Sequence, residues 1–158
     1  MHTEPVNSAP TTPRSIRALH RQFRSLEGGD IRSTAGMHEA VFVGPRFLRL
    51  VAPRAIALGG MPGWYGKRFD AAGEGVNLLR ESDGSLRETL PMRVRLDASW
   101  LDGRPALVVS YGSGAPVPWR WVRDEFRVLD DRTLLALTFA ISPRSRVLAS
   151  PFTLIRRD

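Results

Sequence analysis

The 158-residue chain has no cysteine, a single lysine (Lys67), two tyrosines and three histidines. The missing cysteine excludes disulfides, thiolate metal sites and cysteine nucleophiles, and leaves the redox compartment undetermined. The three histidines are His2, His20 and His38. They show no H-x-x-x-H or H-E-x-x-H spacing, so a metal site is not expected. No G-x-S-x-G elbow is present. The glycine-rich pieces 58–61 and 73–75 lack both a P-loop lysine and a strand-turn-helix setting, so neither a nucleotide nor any other cofactor is implied. Long apolar runs are missing as well. The most apolar window, 41–61, is interrupted by Arg46, Arg49, Arg54 and by prolines and glycines, and cannot span a bilayer. Residues 1–13 show no apolar signal region, which makes a cytoplasmic location the default expectation.

What is present is positive charge and a β-strand pattern. The formal net charge is +7, carried almost wholly by arginine. Arginine's rigid fork suits carboxylates and phosphates. A basic balance alone raises the prospect of nucleic-acid or anionic-membrane contact only slightly, and the bias is read first as compositional. At 42% hydrophobic residues, the chain can bury a real core and fits one domain.

Residues 1–12 read as a disordered tail ahead of one domain, 13–158. Ile16, Leu19, Phe23 and Leu26 recur at helical spacing, with Pro13 in the first turn and Gly28-Gly29 at the end. A helix over 13–27 follows, with Arg14, Arg17, Arg21 and Arg24 on its solvated face. After a strand at 37–43, the stretch from Arg46 to Val51 begins a short amphipathic helical insertion that Pro53 interrupts or kinks. Such a cationic segment can lie on a membrane, but the reading preferred here has it cap one end of a barrel.

From Trp64 the period becomes two. Strands are expected at 64–70, 76–81, 92–100, 106–111, 119–129, 133–141 and 152–157, separated by turn signals such as Asp83-Gly84 and Asp102-Gly103. In 92–100, Met92, Val94, Leu96 and Trp100 should face the core, and Arg93, Arg95, Asp97 and Ser99 the solvent. About eight strands without room for helical crossovers imply a mainly β fold, an antiparallel up-and-down barrel closed to remove its edges. A barrel of this size holds side chains or one small ligand.

Two segments resemble small lipocalin-like bacterial proteins named for a GXWXG motif and the domain that follows it. They are Gly63-Trp64-Tyr65-Gly66-Lys67-Arg68-Phe69 and the strand-turn-strand from Val122 to Leu135, which includes Asp124-Glu125-Phe126-Arg127. The ending from Pro151 to Arg157 is similar in type, and Pro62 stands where the motif has its first glycine. The resemblance covers residues 60–158 and implies a lipocalin-like barrel with a hydrophobic ligand.

The 119–128 segment carries the candidate site. If Val122, Phe126 and Val128 face inward, Asp124 faces inward with them, while Arg123, Glu125 and Arg127 suit water. An interior carboxylate requires a partner. Arg80 is the first candidate, as the charged member of the Val76/Leu78 face, followed by Asn77 and the Tyr111 hydroxyl. Trp64, Trp100 and Phe126 complete the expected ligand-contacting set, with the apolar faces of 92–100, 107–111 and 135–141 lining a cavity.

The function so indicated is binding of a hydrophobic or amphiphilic, fatty-acid-like molecule. Two alternatives stand beside it. One is a small barrel enzyme using Asp124 or Glu125 as acid or base, favoured if two titratable groups converge in the cavity. The other is an interaction domain docking through its basic segments, with peripheral membrane contact among its options. Nucleic acid is disfavoured because the aromatics near Arg120 and Arg123 sit beside a crowded loop. The balance leans away from catalysis, and the oligomeric state is left open.

Overall fold

The computed structural model describes residues 13–140 and 149–158; the expected tail, 1–12, and most of the β7–β8 connection lie outside them. In chain order the elements are α1 (Ile16–Ser25), β1 (Gly36–Phe42), α2 (Arg46–Leu58), β2 (Trp64–Phe69), β3 (Glu74–Arg80) and β4 (Leu86–Ala98). They continue with β5 (Pro105–Ser110), β6 (Val122–Asp130), β7 (Thr133–Ala140) and β8 (Ser150–Arg157). Each strand pairs antiparallel with the next, and β8 returns to β1, closing an eight-stranded barrel. Closure leaves no strand edge among them unpaired. No helix among the described residues is long and apolar enough to cross a membrane.

The barrel has an apolar core on each side of one wall. Inside it, Phe69, Leu79, Met92, Val94, Leu107, Val109, Phe126, Leu134, Ala136 and Leu154 pack together. Outside it, Leu19 and Phe23 of α1 cover Ala106, Val108, Leu135, Leu137 and Phe139. Strands β5 and β7 therefore carry apolar residues on both faces, and of the 135–141 set Leu135, Leu137 and Phe139 point away from the barrel's interior, while residue 141 lies outside the described residues.

Helix α1 begins later than its Pro13 signal suggests. Ser15 is the N-cap, its hydroxyl accepting from the Ala18 amide, and Leu26 rather than the glycine pair is the C-cap. A capping hydroxyl satisfies an otherwise orphaned N–H, which outweighs proline's tolerance of the first turn. Arg17, Arg21 and Arg24 on the helix are exposed, as the pattern required, and so is Arg14, which lies ahead of the N-cap.

Three expectations about strands are corrected. Residues Trp119–Trp121 form a 3-10 turn after a cis Val117–Pro118 bond, so β6 starts at Val122. Leu96 shares the inward face of Val94 and pairs with Leu107, but it stands two residues from the end of β4 at the barrel rim and is 55% exposed. Ser99 is buried instead, because the turn after β4 folds back and its hydroxyl donates to Glu125.

Arg123, Glu125 and Arg127, read as solvent-facing, are all buried. They do lie on the outer face of β6, but α1 and the β4–β5 turn cover that face. Glu125 accepts from the Trp100 amide and from Arg123 Nε at 2.7 and 2.9 Å. Arg127 forks onto Asp102 at 2.7 and 2.8 Å and lies over the Phe23 ring. Charge is kept out of water there by complete pairing, which is the condition for burying it at all.

Candidate functional site

The site is built around a phase shift in β2. Strict alternation would put Trp64 and Lys67 on opposite faces, because they are three residues apart. The β2–β3 register slips between Trp64 and Gly66, inserting one extra residue, so that both side chains turn into the barrel. Gly66 then lies against β1 so closely that a Cβ there would collide with the His38 carbonyl oxygen. A methyl group at this position must push β1 and β2 apart. Gly66→Ala is expected to cost about 1–3 kcal/mol of stability, the range for overpacking in a tight site. Urea unfolding measures this, and an unchanged midpoint would mean that the two strands separate freely.

Inside, Lys67 is 1% exposed and meets three acceptors. Its Nζ donates to Asn77 Oδ1 at 3.1 Å and to Tyr111 Oη at 2.6 Å, and lies 3.1 Å from Asp124 Oδ2. Tyr111 Oη donates in turn to Asp124 Oδ2 at 3.1 Å, and Thr138 Oγ1 donates to Asp124 Oδ1 at 2.7 Å. Trp64 Nε1 donates to Asn77 Oδ1, and Asn77 Nδ2 to the Leu90 carbonyl. Leu90 occupies a second irregularity, between β3 and β4, with a left-handed backbone. Two bulges on adjacent strand pairs therefore aim the polar cluster inward.

The electrostatics follow from burial. Desolvation lowers the Lys67 pKa, and the Asp124 charge pulls it back up. Burial, and then the same carboxylate, push Tyr111 well above its ordinary value, so it stays a protonated donor. His38, also inward on β1, is lowered to about 4 by burial and by Arg156, and carries no charge at neutral pH.

A cavity of about 280 Å³ lies between this cluster and α2. Its floor is Lys67, Asp124, Tyr111 and Thr138, its walls include Phe42, Trp64, Trp119 and Phe152, and its roof is Leu48, Val51, Ala52, Ala55 and Ile56 of α2. Pro53 lies within α2 without ending it. Trp119 Nε1 donates to the Gly59 carbonyl at 2.8 Å and ties the roof to the loop before β6. The lower half of the barrel, around Phe69 and Phe126, is filled by side chains.

Of the expected site residues, the structure brings together Asp124, Tyr111, Asn77 and Trp64. Asp124 is inward and paired with a tyrosine hydroxyl. Its charged partner is Lys67 and not Arg80. The Val76/Leu78/Arg80 face is the outer one, opposite Asn77 and Leu79, and the Arg80 guanidinium stacks on Tyr65 at 4.8 Å. Trp100 lies outside the barrel against Phe139 and Arg123, and Phe126 belongs to the filled half. The face 92–100 likewise contributes core rather than cavity wall. Sequence reasoning missed Lys67 and Thr138; it had the α2 segment capping one end of the barrel, but not as the roof of a cavity. The available signal for Lys67 was that it is the one lysine in an arginine-rich chain.

Among the described residues, no group of three or more histidine, aspartate or glutamate side chains could hold a metal ion. No family model matches the chain, and no curated protein matches it. A solved structure, the crystal structure of a protein from Thermomonospora curvata, aligns with 91% of this chain and 88% of its own at a TM-score of 0.66 and 21% identity. That likeness is one of fold.

Proposed function

We propose that the barrel binds a small apolar ligand in the cavity under α2, and that the ligand's polar end is a neutral hydrogen-bond donor such as a hydroxyl. The observation that carries this reading is the saturation of Lys67. An ammonium has three protons, and all three have acceptors within the protein. The cluster is formally neutral, one lysine against one aspartate, and offers no free cation. A fatty-acid carboxylate would be desolvated beside Asp124 without a counter-charge, which is strongly unfavourable. A carboxylate has about four acceptor positions, and Asp124 uses three of them, on Lys67, Tyr111 and Thr138. The remaining position on Oδ1 accepts one proton from the ligand. The fatty-acid-like head group of the sequence reading thus becomes an alcohol-like one. The β2 strand that carries the resemblance to the GXWXG-type proteins supplies Trp64 and Lys67, which supports that kinship as part of the same proposal.

Convergence of Lys67, Tyr111 and Asp124 favours a second reading, acid–base catalysis on a small apolar substrate. It ranks lower because the lysine and tyrosine protons are already engaged within the cluster.

The test is a matched panel of n-octanol, octanoate and octyl methyl ether, followed by the fluorescence of Trp64 and Trp119. Octanol should bind at least about tenfold tighter than either of the others, the usual order for one buried hydrogen bond or one uncompensated charge. Ala52→Trp, which fills the cavity from its roof, should abolish binding. Tightest binding by octanoate would overturn the donor assignment, and no binding by any chain would overturn the cavity reading. Unchanged masses after long incubation support carriage; conversion that Asp124→Asn abolishes would establish the catalytic reading.

A further inference from the structure

We infer that the outer face of α2, together with the adjoining 112–121 loop, docks on an anionic lipid bilayer. This surface is independent of what the cavity holds. Six of the eight large hydrophobic side chains exposed among the described residues belong to α2 and this loop: Phe47, Leu50, Leu58, Val117 and Trp121, with Val51 at the edge where the outer face meets the cavity roof. Phe47 is 61% and Leu58 90% exposed, although the same helix buries no residue fully on its inner side. The Trp119–Gly59 hydrogen bond joins the two segments into one surface. Exposed apolar groups concentrated at one end of a barrel call for an apolar partner.

Charge identifies which one. Residues 44–63 contain Arg46, Arg49 and Arg54 and no acidic residue, and residues 112–121 contain Arg120 and no acidic residue. Many arginines elsewhere are neutralised: Arg68, Arg87, Arg93 and Arg132 each pair with a carboxylate. Arg46, Arg49 and Arg54 have no such partner among the described residues; Arg54 only reaches back to the Leu50 carbonyl. The acidic groups at the same end of the barrel, Glu81 and Asp83, belong to the β3–β4 turn, where Glu81 is paired with Arg87. A second copy of this face would set arginine against arginine. An anionic interface accepts both components at once, with apolar side chains inserted and guanidinium groups level with the phosphates. The roof of the cavity would then lie against the membrane.

The experiment is flotation of the full chain with phosphatidylcholine vesicles, with and without phosphatidylglycerol. Binding should be about 100-fold tighter to the anionic vesicles, given three arginines near the charged surface, and should weaken as salt is raised. The double variant Phe47→Ser/Leu50→Ser should lose binding about tenfold or more, and Arg49→Gln/Arg54→Gln should lose anionic preference. Neither should change the unfolding midpoint much, since the positions are exposed. Arg17→Gln/Arg21→Gln on α1 should bind as the parent does. The inference is overturned by equal partitioning to both vesicle types, by no flotation, or by binding that depends on the α1 pair instead. A parent dimer that the Phe47/Leu50 variant dissociates would also overturn it, by assigning the face to a second copy.

Discussion

Asp124→Asn is expected to lower the free energy of unfolding by about 3–5 kcal/mol at neutral pH, because it leaves the Lys67 ammonium without a counter-charge. Thr138 and Tyr111 donate to different oxygens of Asp124, and asparagine offers an acceptor at only one of those positions, so the loss combines the missing charge with one missing hydrogen bond. The deficit should shrink as pH rises. Without Asp124, the folded-state pKa of Lys67 falls further below its unfolded value of about 10.4, the unfolded chain binds more protons across that window, and stability climbs with pH through it. The double variant Lys67→Met/Asp124→Leu should return to within about 2 kcal/mol of the parent, since a buried pair is often replaceable by apolar groups of similar volume. Chemical denaturation of the three variants at neutral and alkaline pH decides the matter. An Asp124→Asn protein as stable as the parent would show that Lys67 is not held as a cation. The parent and the double variant also separate stability from binding: the double variant should fold and lose its preference for octanol over the methyl ether.

Arg127→Met should cost a similar amount, about 3–5 kcal/mol, for a different reason. All five guanidinium N–H groups are used: both Asp102 oxygens and the carbonyls of Phe23, Arg104 and Pro105 accept from them. The side chain is fully buried and joins α1, the β4–β5 turn and β6. Methionine fills the volume but leaves the Asp102 carboxylate without its counter-charge, holding only the Arg104 amide, and removes one donor from each of the Phe23, Arg104 and Pro105 carbonyls. Arg127→Lys should rescue little, because three protons on a compact ammonium cannot reproduce a planar fork. Thermal unfolding of both variants tests this. A lysine variant matching the parent would mean that charge alone holds the outer layer.

The contrast between these two sites explains what was legible in the sequence. Strand alternation put Asp124 inside, because Val122, Phe126 and Val128 share its face and no other arrangement buries them. The same logic sent Arg123, Glu125 and Arg127 to water. Their actual burial depends on α1, which returns from far earlier in the chain to cover that wall, and local pattern carries no such information. Lys67 was hidden by the slip at Tyr65, since an alternation counted from Trp64 assigns it outward. Arg80 was misplaced by the converse error, because Val76 and Leu78 are apolar on a face that proves to be the outer one. The closed eight-strand fold was readable because hairpin signals and strand number do not depend on such details. The roof of the cavity was half readable: arginine and leucine spacing gave α2, but not that Pro53 sits within a continuous helix.

Closure of the ring has a consequence for how the molecule forms. Hairpins such as β6–β7 join near neighbours, whereas β1 meets β8 across a separation of 118 residues at the Glu39–Arg157 pair. A contact that distant requires most of the chain's conformational freedom to be given up before it returns any favourable energy, which makes topologies of this kind slow to assemble. Until β8 docks, β1 and β7 each present an unfilled row of backbone donors and acceptors, the template on which a second unfinished chain can add. Strand β8 is thus the latch of the barrel, and the interval before it closes is when self-association competes with folding.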